Sequence, residues 1–153
     1  MPEKDINKQY VIFSLGKQNY GIDVMDSREI ITTGDLTFIP EAPSFVDGVI
    51  NLRDQIIPII NLNEKFRLNL DIDNNKVIII SVDDELMGLK VQEVIEITNL
   101  NQKDLNDTPE ITKNIDSNYI KGIAKLKDDL IIIINTNSLM KDKEIKEIKN
   151  INI

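Results

Sequence analysis

The sequence predicts an all-β protein in which two copies of one small five-stranded barrel pack together. Short runs of β-branched and aliphatic residues alternate with turn residues, which is the pattern of hairpins in small barrels. These hairpins recur: residues 10–24 are matched by 78–91 at an offset of 67, and residues 48–62 by 122–135 at an offset of 74. Because one unit of roughly 65 residues has a thin core, we expect the two units to share one.

The first hairpin comprises residues 10–15 and 20–24, separated by a turn that begins at Gly16. Its copy comprises residues 78–82 and 86–91 around an acidic turn. Matched positions at the offset of 67 are Ile12 and Ile79, Leu15 and Val82, Gly21 and Gly88, Ile22 and Leu89, Val24 and Val91, Glu29 and Glu96, and Ile30 and Ile97. This agreement favours duplication over chance similarity between aliphatic strands.

The second hairpin carries an arginine, Arg53, on its turn between two apolar strands. In its copy the corresponding residue is Lys127, and the glycine that opens each hairpin, the leucine before the base and the asparagine after the second strand also recur. The repeat therefore predicts the architecture, and the arginine on one copy's turn suggests a binding residue.

These repeats divide the chain into a first barrel at residues 8–70, a second barrel at 76–140 and a C-terminal helix or tail at 141–153. Residues 69–75 are polar without periodicity and are predicted to link the units. The second copy has seven extra residues, which fall in the polar stretch 99–118, predicted to be a long surface loop.

Two helical segments are expected. Residues 26–31 are predicted to form one or two helical turns that end at residues 32–34. Ser138 is predicted to cap a helix over residues 139–149, with Leu139, Ile145 and Ile148 on one face and Lys/Glu pairs on the other. We expect this helix to pack against the barrels and close them, rather than to act as a recognition helix.

Composition excludes several classes of function. At 153 residues, with 41% hydrophobic and 29% charged residues, the chain is an ordinary globular domain. Because it has neither cysteine nor histidine, it cannot form a disulfide, a thiolate nucleophile, a Cys/His zinc site or an imidazole acid–base pair. A net charge of −8 disfavours nucleic acid and anionic lipid as partners. The charged N-terminal sequence is unlike a signal peptide, so we expect a cytoplasmic protein.

No catalytic or cofactor motif is recognisable. Counted from Asp71, an EF-hand loop needs Gly and Glu where Lys76 and Val82 stand. The pair at Gly16 and Lys17 lacks both the earlier glycine and the following Ser or Thr of a phosphate-binding loop. We therefore expect no enzyme, no cofactor and no metal.

Arg53 is the strongest candidate for a binding residue. Its turn projects it from two strands, and a guanidinium can form two parallel hydrogen bonds with a partner's carboxylate. The alternative is that Arg53 only solvates the hairpin or pairs with Asp54. From the residues alone, the two interpretations are equally supported.

Taken together, the motifs resemble those of the CheW-type chemotaxis coupling proteins, over nearly the whole chain. The residues that carry the resemblance are Tyr20-Gly21-Ile22-Asp23, Glu29-Ile30, Ile39-Pro40, Ala42-Pro43-Ser44-Phe45, Gly48-Val49-Ile50-Asn51-Leu52-Arg53, Ile57-Pro58-Ile59-Ile60-Asn61-Leu62, Gly88, Val91 and Tyr119-Ile120-Lys121-Gly122. The resemblance implies two SH3-like barrel subdomains and a noncatalytic adaptor that links chemoreceptors to a histidine kinase, in the cytoplasm at membrane-associated receptor arrays.

The same resemblance implies that Arg53 and Glu29 contact the cytoplasmic tip of the receptor, beside a groove shaped by Val49, Ile50 and Leu52. It implies that the regulatory domain of the kinase, which has the same fold, docks on the ends of the subdomains. Alternative functions are a coupling module of a non-motility signalling array and a double-barrel protein that binds a small molecule.

Two positions depart from the family pattern, and both lie in the implied receptor site. Asp54 stands where the family usually has glycine, so it affects the turn geometry or pairs with Arg53. Ser27 stands where the family often has valine, which removes an apolar contact.

Overall fold

The computed structural model describes residues 7–71, 75–106 and 119–149. Strands dominate these residues, and the helices are short. The strands are β1 (Asn7–Leu15), β2 (Gln18–Asp23), β3 (Ser27–Thr32), β4 (Val46–Leu52), β5 (Gln55–Asn61), β6 (Lys76–Val82), β7 (Glu85–Val91), β8 (Glu93–Asn101), β9 (Leu105–Asn106), β10 (Ile120–Leu126) and β11 (Asp129–Ile134). The α-helices are α1 (Leu62–Lys65) and α2 (Asp142–Lys149), and 3-10 turns lie at Val24–Asp26, Gln102–Asp104 and Thr136–Ser138.

The strands form two sheets, each of which is one barrel. The composite barrel has the strand order β8-β1-β2-β11-β10-β9 and combines strands from both ends of the chain, whereas the continuous barrel has the order β3-β6-β7-β5-β4 and is formed by consecutive strands. The predicted subdomains, 8–70 and 76–140, therefore do not each correspond to one sheet. Because the two copies have the same shape, a hairpin of one copy can pair with strands of the other, and a sequence repeat does not specify which pairing occurs.

The duplication is visible in the strand register. Gly21 on β2 pairs with Ile133 on β11, and the equivalent Gly88 on β7 pairs with Ile59 on β5, both in parallel. The four predicted hairpins are confirmed as β1–β2, β4–β5, β6–β7 and β10–β11. The all-β fold with two SH3-like subdomains is thus confirmed.

Each barrel has a small interior, and a larger core lies between the barrels. Alternate residues of a strand face opposite sides of the sheet, so Ile57 and Ile59 pack inside the continuous barrel while Ile60 faces the central core. The interior of the composite barrel contains Tyr10, Ile12, Leu100, Ala124, Ile131 and Ile133. The central core receives side chains from both barrels and from α2. The expectation that the units share a core is confirmed.

The helix predicted at residues 26–31 is wrong. The 3-10 turn ends at Asp26, and Ser27–Thr32 forms β3, which pairs with β6. The adjacent Ile30 and Ile31 are β-branched and favour a strand, and pairing with β6 satisfies more backbone groups than an isolated helical turn.

The C-terminal helix begins later than predicted, at Asp142, and Ser138 ends a 3-10 turn instead of capping the helix. Leu139 and Ile148 are buried, as predicted. The side chain of Ile145 lies outside the described residues. So do residues 72–74 of the predicted linker and 107–118 of the predicted loop, whereas residues 99–106 complete β8, a 3-10 turn and β9. None of the described helices is long and apolar enough to cross a membrane.

Candidate functional site

The turn between β4 and β5 consists of two residues, Arg53 and Asp54, and both have positive φ angles, 49° and 67°. Positive φ at both central positions is the pattern of a type I′ turn, whose twist matches that of the strands. Asp54 therefore occupies a left-handed position that glycine adopts without strain. An aspartate tolerates this conformation better than most residues, so the hairpin forms without the glycine.

The guanidinium of Arg53 donates a hydrogen bond from Nη2 to Oε2 of Glu29, and the two groups form an ion pair. This contact raises the pKa of Arg53 above its ordinary value, mainly through the hydrogen bond and then through the charge of Glu29. The side chain of Arg53 is 71% exposed and that of Glu29 is 30% exposed. The predicted pair of site residues is thus brought together, and the partner of Arg53 is Glu29 rather than Asp54.

The pair joins distant parts of the sheet. Glu29 lies on β3, at one edge of the continuous barrel, and Arg53 follows β4, which is the last strand in the sheet order. The ion pair therefore brings the two ends of the sheet together at the rim of the barrel and holds the guanidinium at the surface.

The three apolar site residues predicted on β4 do not share one face. Ile50 and Leu52 are half-buried and pack on the interior cluster of the continuous barrel. Val49 is buried on the opposite face and lines a cavity on the outside of the barrel. Ile50 and Leu52 therefore support the Arg53 hairpin from within, Val49 contributes to the cavity, and the exposed apolar surface is provided by other residues.

Sequence reasoning missed two exposed apolar side chains on and before β3. Ile30 follows Glu29 on β3 and is exposed, and Met25 precedes the strand and is exposed to a greater extent. The equivalent of Ile30 in the composite barrel, Ile97, is exposed as well. The repeat of this isoleucine at equivalent positions of both copies was the sequence signal that could have indicated an exposed apolar surface. Ser27 uses its hydroxyl to donate to the carbonyl of Val24, at 2.8 Å.

The described residues also form a cavity of about 370 Å³ on the outer face of the continuous barrel. It begins at Gln55 and Ile56, directly after the Arg53 turn, and its polar rim also includes Asp84 and Glu85. The apolar lining consists of Val49, Ile56, Ile57, Pro58, Leu86, Met87 and Ile148. Such a lining suits an apolar group with polar or basic surroundings.

Ile56 is the outermost apolar residue of this cavity and is 44% exposed. Its equivalent on β11, Leu130, is 59% exposed. One exposed aliphatic residue therefore marks the same strand position on each barrel. Among the described residues, no three Asp or Glu side chains are grouped as a metal site would require.

Comparisons with known proteins agree with this fold. The model of the CheW-like domain family matches residues 9–144. The chemotaxis protein CheW of Treponema pallidum is 32% identical to the chain, over 99% of the chain and 92% of that protein. The chemotaxis protein CheW of Klebsiella aerogenes is 29% identical, over 95% and 89%.

A solved structure is also similar, the crystal structure of the scaffolding protein TtCheW from Thermoanaerobacter tengcongensis. Its sequence is 34% identical, 91% of each chain is covered and the TM-score is 0.81. Since the family model spans nearly all of the two barrels described above, this chain belongs to the CheW-like domain family.

Proposed function

We propose that the chain is a noncatalytic adaptor that links chemoreceptors to a chemotaxis histidine kinase. Its relatives are named chemotaxis proteins, and the similar solved structure is described as a scaffolding protein. The observation that carries the proposal is the exposed ion pair of Arg53 and Glu29, because a receptor-binding residue has to be both oriented and accessible.

Arg53 is the central receptor contact in this proposal. A guanidinium has five N–H donors, and Glu29 engages Nη2, so the remaining donors are available to a carboxylate or a backbone carbonyl of the receptor tip. Glu29 holds the guanidinium in one orientation, which lowers the entropy lost on binding. Ile30, on the opposite face of β3 from Glu29, and Met25, before that strand, add exposed apolar surface at the same edge of the barrel.

The regulatory domain of the kinase docks at the outer apolar positions of the barrels, marked by Ile56 and Leu130. These two residues are equivalent in the duplication, and the family resemblance gives the regulatory domain of the kinase the same fold. A barrel-to-barrel contact between similar domains would use such equivalent strands. Ile56 adjoins the cavity, so this end can also accept an apolar side chain of the partner.

Coupling then follows from holding the kinase beside the receptor tip. When the receptor changes conformation, the contacts made by one or both partners change in free energy, and the populations of active and inactive kinase shift. The adaptor performs no chemistry. In this function it is a cytoplasmic protein that joins membrane-associated receptor arrays through its partners.

A binding experiment with purified fragments tests the proposal. The intact chain is immobilised and exposed to the regulatory domain of the kinase and, separately and together, to the cytoplasmic signalling fragment of a chemoreceptor. We expect each partner to bind alone and both to be retained together, because the two surfaces are distinct. Failure to bind either partner contradicts the proposal, and mutually exclusive binding contradicts the assignment of separate surfaces.

A further inference from the structure

Helix α2 forms part of the cavity wall as well as part of the core. Ile148 is buried, packs in the central core and also lines the cavity. The remaining lining residues come from β4, β5, β7 and the turn before β7. The shape of the cavity therefore depends on where α2 lies against the barrels.

The position of α2 is held by an ion pair with the other α-helix. Nζ of Lys65, the last residue of α1, lies 2.7 Å from both carboxylate oxygens of Glu144. The two side chains are only 12% and 18% exposed, and the same ammonium lies 4.8 Å from the ring centroid of Phe45. A sheltered charge-assisted contact of this kind is stronger than an ordinary surface ion pair.

Glu144 also fixes the beginning of its own helix. One carboxylate oxygen accepts a hydrogen bond from the backbone N–H of Lys141, at 2.8 Å. Lys141 precedes the first helical residue, so this is the contact of a glutamate at the third helical position with the N-cap. The same side chain thus starts α2 and connects it to α1, across 79 residues of sequence.

Helix α1 is itself anchored to the sheet. Asn61 at the end of β5 caps it by accepting from the backbone N–H of Glu64, and the side-chain amide of Asn61 donates to Asp47 on β4. Lys65 therefore projects from a fixed point of the continuous barrel. Through it, the position of α2 is set relative to the strands that form the rest of the cavity.

We propose that the Lys65–Glu144 ion pair is a latch that positions α2 as the wall of the cavity on which the kinase regulatory domain docks. The inference rests on the proposed kinase contact at Ile56. Neither Lys65 nor Glu144 lines the cavity, so both are positioning residues. Opening the latch changes the wall formed by Ile148 and leaves the Arg53 turn untouched.

The test compares Glu144→Gln and Lys65→Met with the unchanged chain in binding to the kinase regulatory domain and to the receptor fragment. We expect each variant to lose about tenfold in affinity for the kinase domain, because the docking surface is less preorganised, while receptor affinity is unchanged. The double variant should lose no more than either single variant, since both remove one interaction. Lys65→Arg, which keeps the charge, should bind nearly as tightly as the unchanged chain.

Amide hydrogen exchange supplies a readout that does not depend on the kinase. The latch variants should exchange faster along α2 and at similar rates elsewhere. The matched control is Lys90→Met, which removes a comparable ion pair, 2.8 Å from Asp47 with side chains 19% and 23% exposed, and leaves the hydrogen bond from Asn61 to Asp47 in place. This control should keep kinase affinity.

The possible outcomes separate the two proposals. If the unchanged chain does not bind the kinase domain, the proposed kinase contact fails, whereas the exchange measurement still reports on the latch. If the unchanged chain binds and the latch variants bind equally well despite faster exchange in α2, the latch does not position the docking surface. An equal loss in Lys90→Met would indicate general destabilisation and would likewise overturn the inference.

Discussion

The two barrels have equivalent strands but differ in their turn residues and in the side chains on their surfaces. Hairpin β4–β5 of the continuous barrel is equivalent to hairpin β10–β11 of the composite barrel. Each also pairs with a short neighbouring segment at the same position, Val49 with Thr37 and Ile123 with Asn106. On the first hairpin, Arg53 forms an ion pair with Glu29. On the second, the equivalent residues Lys127 and Glu96 are both exposed and form no such pair.

The surfaces beyond the hairpins differ as well. Tyr20 of the composite barrel packs with a tilted ring against Phe66, which follows α1, with ring centroids 5.7 Å apart, and Phe66 stacks against Tyr119 at 4.6 Å. Burial, with a smaller effect of Tyr119, raises the pKa of Tyr20. In the continuous barrel Met87 occupies the position equivalent to Tyr20 and lines the open cavity.

This difference shows how a duplicated scaffold becomes specialised. The inward-facing aliphatic residues are interchangeable between copies, because each barrel needs only a filled interior. The turns and the segments after the second hairpins are free to diverge. In the composite barrel Tyr20 is covered by the ring of Phe66, while the continuous barrel presents an oriented arginine and, at Met87, a cavity.

The largest expected effect is on stability, from Gly48→Ala compared with Gly122→Ala. A Cβ at Gly48, where φ is 153°, would lie 2.6 Å from the carbonyl oxygen of Thr37, and a Cβ at Gly122 would lie 2.9 Å from that of Asn106. We expect Gly48→Ala to lower the free energy of unfolding by about 3 kcal/mol and Gly122→Ala by about half as much. Urea denaturation measures the free energy of unfolding of both variants. Equal losses would show that the backbone contacts at Gly48 and Gly122 are equally close.

An intermediate effect is expected for Ile56→Asp compared with Leu130→Asp in binding to the kinase regulatory domain. Ile56 adjoins the cavity, whereas in the composite barrel Tyr20, at the position equivalent to the cavity residue Met87, packs against Phe66. Loss of an anchor that lies beside a cavity should weaken binding by about 30-fold, and loss of Leu130 by only a few-fold. Titration calorimetry provides the comparison. A larger loss for Leu130→Asp would assign the principal kinase contact to the composite barrel.

The smallest effect is expected for Asp54→Gly. At a φ of 67° glycine removes the strain of a left-handed aspartate, but it also increases the entropy of the unfolded chain. We expect a net stabilisation of at most about 0.5 kcal/mol, with receptor affinity unchanged because Arg53 keeps its partner. Asp84→Gly, at a φ of 65° on the other type I′ turn, is the matched control. A marked gain in receptor affinity for Asp54→Gly alone would mean that Asp54 competes for Arg53.

The local sequence pattern predicted most of the strands. The features that it missed depend on contacts between distant parts of the chain. The four hairpins were predictable because turn residues and aliphatic runs alternate, and the equivalence of Gly21 with Gly88 revealed the duplication. The exchange of strands between barrels was not predictable, because both pairings bury the same side chains. Residues 26–31 were mistaken for a helix because their strand character depends on pairing with β6.

The site was also predictable only in part, because local sequence pattern does not indicate contacts between residues that are far apart in the chain. Arg53 was a candidate because of its place on the turn, Glu29 was identified through the family resemblance, and the structure supplies the ion pair between them. Glu144 was expected on the solvent face of its helix. It lies against Lys65 instead, a contact between residues 79 apart that no local periodicity could indicate.

The most direct test of the specialisation of the two barrels is charge reversal on the two equivalent turns. Arg53→Glu and Lys127→Glu are compared by titration calorimetry against one chemoreceptor signalling fragment, with circular dichroism and kinase binding as controls for folding. Arg53→Glu should weaken receptor binding by more than about 100-fold, while Lys127→Glu should leave it nearly unchanged. Normal receptor binding by Arg53→Glu, or an equal loss in both variants, would contradict the account.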